Sequence, residues 1–221
     1  MSMMKVLQVV LILLAGSGLH AAECTRAGQS IASEGWSAAL RRVCFTDSIK
    51  ENVFLSPDHK KAVIADANGF TLRIEGKDVA WPVGRELSPS GSEVSWSATS
   101  SAFFISYGDG SGLDGWTINV FSLQNSHVID HKQINERVVR AFREEIKCAK
   151  DAVNPNVRGL GWSRDGTELF LFAQTTVSEP CGVQGNFRGA VISLANDCIS
   201  KFYSEAEAKN RLHDLLPYNM R

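Results

Sequence analysis

Glycines 108, 110, 112 and 115 fall within one short connection, Gly108-Asp109-Gly110-Ser111-Gly112-Leu113-Asp114-Gly115-Trp116. That is more backbone freedom than a hairpin turn requires. Three readings fit the run. It can be a solvated hairpin tip. It can be a calcium loop through Asp109, Ser111 and Asp114, although an EF-hand wants an oxygen ligand where Leu113 stands, Gly where Asp114 stands, and a later Glu that does not follow. The third reading is a protruding recognition loop. Gly110, Ser111, Gly112 and Asp114 would then meet another protein while Leu113 and Trp116 hold the base.

Other reactive side chains form weaker patterns. On a strand, positions 127, 129 and 131 point the same way, so His127 and His131 flank Ile129 and could share a metal with a third ligand. The run His-Val-Ile-Asp-His lacks the Glu and the helix of a zincin motif. His59 sits in a turn and His213 on a terminal helix, where solvated imidazoles are expected. No nucleophile elbow is present, because Asp109 stands where the first Gly of G-x-S-x-G belongs. The carboxylate pairs Glu144-Glu145 and Glu205 with Glu207 fall on predicted helix surfaces, where solvation and capping account for them. No catalytic residue is assigned, and the expectation is a protein that is not an enzyme.

Residues 1–22 place one charge, Lys5, before the apolar run 6–15 and the small-residue end Ala21-Ala22. This is the order of a cleaved secretory signal, with an apolar run too short to span a bilayer. The expected mature chain, 23–221, is exported to a periplasm or beyond it and is not inserted in the membrane. With 23 Lys plus Arg against 24 Asp plus Glu, the formal charge is -1, and nothing draws the chain toward nucleic acid. All five cysteines lie past the cut and meet oxidising conditions. Two bridges and one free thiol can be drawn in fifteen ways. Cys24 with Cys44 is favoured because the pair brackets a helical segment, and Cys148 with Cys181 because each lies beside an insertion.

The elements that would position these residues repeat along the chain. Segments 54–64, 95–105 and 161–171 each read as a strand ending in Ser, a polar turn and a second apolar strand. In the third, Asp165-Gly166 supplies the turn chemistry of a hairpin. The aligned serines Ser56, Ser97 and Ser163 are 41 and 66 residues apart, and the first interval matches one four-stranded blade. Each unit contains two further strands, which predicts three four-stranded antiparallel units over about 52–84, 93–133 and 157–203. The excess in the second interval is a helix over about 135–149, from the spacing of Val138, Val139, Phe142 and Ile146. A C-terminal helix over about 205–216 starts at the capping box Ser204 and Glu207. Trp36, Leu40, Val43 and Cys44 predict a short N-terminal helix. The fold class is mainly all-β in a single domain.

The Ser-Pro-Asp and Trp-Ser-Arg-Asp-Gly-Thr-Glu-Leu units resemble the WD-like repeats of TolB-type and peptidase-associated β-propellers over about 52–203. Three units are fewer than the roughly four to eight blades of a closed propeller, so the resemblance implies an open or distorted propeller-like stack. An exported chain of this size with a Gly110-Ser111-Gly112 loop also resembles the periplasmic immunity proteins that guard against type VI secretion amidase effectors. That second resemblance implies a peptidoglycan-cleaving cysteine amidase as partner, with Ser111 set against its catalytic Cys-His pair. The expected function is a binding and inhibitor protein with no cofactor unless the loop takes calcium. A scaffold or accessory subunit of an envelope assembly and an enzyme of unrecognised type are the alternatives.

Overall fold

The computed structural model describes residues 41–43, 50–108, 115–146, 154–175, 185–216 and 221. The chain runs β1 (Arg41–Arg42), β2 (Asn52–Leu55), β3 (Lys61–Asp66), β4 (Gly69–Ile74), β5 (Lys77–Val79), a 3-10 turn (Pro82–Arg85), β6 (Glu93–Trp96), β7 (Ala102–Tyr107), β8 (Thr117–Gln124) and β9 (His127–Asp130). It continues through α1 (Gln133–Ile146), β10 (Asn156–Trp162), β11 (Glu168–Gln174), β12 (Phe187–Ser193), β13 (Cys198–Tyr203), α2 (Glu205–Arg211) and a second 3-10 turn (His213–Leu215). Each expected unit is an antiparallel meander in chain order: β2-β3-β4-β5, β6-β7-β8-β9 and β10-β11-β12-β13.

The middle sheet is buried on both faces, which explains why β7 reads as an unbroken apolar run rather than an alternation. Val94, Trp96, Phe103, Ile105 and Phe121 face the first unit and pack with Phe54, Val63, Phe70 and Leu72. Phe104, Ile118 and Val120 face the third unit and pack with Val157, Leu169, Leu171 and Ile192. Ile134, Val138 and Phe142 turn one stripe of α1 into this second core, as their helical spacing requires. On the far side of the third unit, Ala208, Leu212 and Leu216 cover Leu160, Phe172 and Phe187. Gly189 admits that C-terminal segment, since a Cβ there would lie 2.8 Å from Leu212 Cδ1.

The three expected hairpins share one hydrogen-bond pattern. The Ser hydroxyl accepts the backbone N–H five residues on: Lys61 to Ser56 at 3.0 Å, Ala102 to Ser97 at 3.0 Å and Glu168 to Ser163 at 2.9 Å. The fourth position of each turn has positive φ, in His59, Ser100 and Gly166. Successive units are joined in the same way as well. The Trp96 indole N–H donates to the Phe54 carbonyl at 2.8 Å, and the equivalent Trp162 donates to the Ser95 carbonyl at 3.4 Å.

Two expectations are corrected. Arg41–Arg42, within the segment expected as an N-terminal helix, is a strand that pairs antiparallel with β6, so the middle sheet has five strands rather than four. The reason is tertiary: Val43 is buried between the first two units, and its backbone N–H donates to the Ser92 carbonyl at 2.7 Å. In the first unit, expected over about 52–84, the fourth strand ends at Val79, because Pro82 opens a 3-10 turn beyond it. The inserted helix begins at Gln133, and α2 keeps the capping box but gives way to a 3-10 turn after Arg211. Residues 1–40, including Cys24, lie outside the described residues, as do Cys44, Cys148 and Cys181.

Candidate functional site at the base of the glycine-rich connection

Gly110, Ser111, Gly112, Leu113, Asp114 and Asp109 lie outside the described residues, while both ends of their connection lie within them. The Ser56, Ser97 and Ser163 hairpins occupy one end of the sheets. Antiparallel pairing therefore puts the β7–β8 connection at the opposite end, where β6 and β10 begin. Gly108 closes β7 under the Trp116 ring; a Cβ on it would approach Cε2 to 3.2 Å. Gly115 returns the chain with φ of +84°, a left-handed conformation that glycine adopts without strain.

Trp116 is held on every side that matters to the base. Its backbone N–H donates to Asn156 Oδ1 at 2.9 Å, and its carbonyl accepts from Val157 N at 2.9 Å. The Arg158 guanidinium lies 3.8 Å from the ring centroid, a cation–π contact. Arg158 Nη2 in turn donates to Glu93 Oε1 at 2.5 Å, and Glu93 is only 1% exposed. An ion pair at that depth depends on its partner, because removing one charge leaves the other buried and uncompensated. Glu93 Oε2 has no hydrogen-bond partner among the described residues. Just behind this stack, Gly159 N–H donates to Ser106 Oγ at 2.9 Å, where a Cβ would collide with the Phe104 ring at 2.2 Å.

Arg158 and Asn156 contact Trp116 from elsewhere in the chain, and Glu93 reaches it through Arg158. No linear signal marks these three. Arg158 reads as an ordinary strand residue, and Glu93 becomes buried only because β1 and the third unit close over β6.

The two histidines have different surroundings. His127 is exposed at the start of β9. His131 lies one residue past that strand, 8% exposed, with Nδ1 bonded to Asp197 and Nε2 2.8 Å from Ser122 Oγ. Among the described residues no group of three or more His, Cys, Asp or Glu side chains converges as a metal set, and no helix is long and apolar enough to cross a membrane. Burial raises the pKa of the neighbouring Asp130 carboxyl above the ordinary range. Cys198 is a free thiol whose Sγ lies 3.3 Å from the Asn196 carbonyl.

No protein family, no curated protein and no solved structure matches the chain.

Proposed function

We propose that this chain is an exported protein-binding module, an open propeller-like stack that serves as an immunity or inhibitor protein of the periplasm. Its contact element is the connection from Gly108 to Gly115, with Ser111 at the target's active site. The target class is a peptidoglycan-cleaving cysteine amidase delivered by type VI secretion. The observation that supports this reading is the construction of the loop base. Trp116 is clamped by Gly108, Asn156, Val157 and the Arg158–Glu93 pair. A rigid base lowers the entropic cost of presenting a glycine-rich tip to a partner.

Calorimetric titration of the mature chain against an amidase effector encoded beside it tests the reading. Ser111→Arg should weaken binding by at least about 100-fold, equivalent to roughly 2.7 kcal/mol, while the melting temperature stays within a degree or so of wild type. Trp116→Ala should weaken binding and also destabilise the fold by about 2–3 kcal/mol, below the range for a fully buried aromatic because the indole is only partly covered. Lys132→Ala, an exposed control, should do neither. Equal affinity for all four proteins would remove the loop from the interface. A calcium-dependent rise in melting temperature that Asp109→Ala abolishes would turn the loop into a cation site instead.

A further inference from the structure

We propose that Ser122, His131 and Asp197 form a relay that makes the Ser122 hydroxyl a nucleophile toward small activated acyl esters. The three come from separate elements. Ser122 lies on β8 and shares the face of Ile118 and Val120, turned toward the third unit. His131 follows β9, and Asp197 sits in the turn between β12 and β13, where its φ is +53°.

The imidazole is fixed on both sides. Its backbone N–H donates to the Val120 carbonyl at 3.0 Å, and its carbonyl accepts from Ile134 N at 3.1 Å at the entrance to α1. The ring is 8% exposed and both of its nitrogens are engaged. With a carboxylate at Nδ1, the neutral ring carries its proton there and leaves Nε2 as the acceptor that faces Ser122 Oγ at 2.8 Å. Hydroxyl, imidazole and carboxylate in that order is the arrangement that activates a serine, and it is recognised by geometry rather than by chain order. Ser122 itself is partly open to solvent. Leu194 and Ile199, close to Asp197 in the chain, are partly buried against the same core.

The chemistry balances within this set and one water. As Ser122 Oγ bonds to the acyl carbon, its proton passes to His131 Nε2. The ester C–O bond breaks, and the alcohol leaves with that proton. Water then attacks the acyl-serine, gives a proton to Nε2 and releases the acid, while Ser122 Oγ recovers its proton from the ring. Asp197 touches no reacting atom. It is a positioning residue that holds the ring's tautomer.

The test uses the mature chain with an alkyl fluorophosphonate. Here Oγ–P forms, P–F breaks and the proton leaves as HF. Peptide mapping should find one adduct per chain, on Ser122, forming about 10²–10⁴ times faster than in His131→Gln, the usual range for a general base. Asp197→Asn should slow labelling and displace its pH profile, a change that loss of a mere structural contact would not produce. Should His131→Gln fail to fold, Ser122→Cys gives an independent reading. At pH 6 an unassisted thiol is almost wholly protonated, so iodoacetamide should alkylate the thiol at 122 at least about tenfold faster than it alkylates free glutathione. An adduct elsewhere than Ser122, equal labelling of wild type and a folded His131→Gln, or equal alkylation of the thiol at 122 and glutathione would overturn the proposal.

Discussion

Asp165 ties the third hairpin together from within the turn. Its Oδ1 accepts from the Ser163 hydroxyl at 2.6 Å, the Thr167 hydroxyl at 2.8 Å and the Thr167 backbone N–H at 3.1 Å. These bonds favour the charged carboxylate and lower its pKa to about 2, with the Ser163 hydroxyl contributing most and the Thr167 backbone next. In the unfolded chain an Asp titrates near 3.9. A folded pKa below the unfolded one means that the stabilisation is complete above about pH 4–5 and is lost as pH falls toward 2. Asp165→Asn should therefore melt below wild type by a constant margin from pH 5 to 7, and the margin should shrink from about pH 4 downward. A margin that persists unchanged at pH 2 would contradict the carboxylate's role. Asp58 makes the matching bond to Ser56 and gains Lys61 at 2.7 Å, which holds its carboxyl well below the usual range. It is common to both proteins, so its own titration cancels in the comparison.

At the scale of elements, the three hairpins are alike in hydrogen bonding but differ in what touches their positive-φ residue. His59 in the first turn is exposed. Ser100 in the second meets the first unit constructively, because its hydroxyl accepts the Asp58 backbone N–H at 3.0 Å. Gly166 in the third has φ of +72°, and a Cβ there would sit 2.5 Å from Thr99 Oγ1 of the second unit. The same turn thus carries a side chain where it is exposed or bonded to the preceding unit, and excludes one where Thr99 occupies the space. Gly166→Ala should destabilise by about 1–3 kcal/mol in urea unfolding, the range for strain of this type. Adding Thr99→Ala should recover the steric part and leave the backbone part, a coupling of at least about 0.5 kcal/mol. Strict additivity of the two substitutions would show that the units are not packed through these turns.

At the scale of the whole molecule, Cys198 opens β13 at the hairpin end of the sheets as a free thiol. The other four cysteines lie outside the described residues. Titration of the unfolded, unreduced protein should find about one free thiol per chain, and alkylation mapping should assign it to Cys198. Losing either native bridge should then cost about 2–5 kcal/mol. Five free thiols, or Cys198 in a bridge, would refute the arrangement. The two faces of the stack also end differently: the C-terminal segment covers the third unit, whereas Val53 and Leu55 of the first unit are 44% and 54% exposed.

What could be read without coordinates was local. The serine-ended hairpins, the stripe of Val138 and Phe142 and the capping box at Ser204 each rest on contacts within a few residues, so residue type and spacing suffice to specify them. The partners of these elements were decided only on folding. Arg41–Arg42 has helical-looking neighbours but becomes a strand because β6 offers an unpaired edge and the first two units bury Val43. Tertiary context of this kind overrides local propensity. Arg158 finds Glu93 from 65 residues away, and His131 finds Asp197 from 66. No spacing rule reaches that far. Sheet stacking buries Glu93 and the His131 ring, and a buried polar group must find a partner or bear the cost of desolvation; Arg158 and Asp197 come from distant segments to supply it.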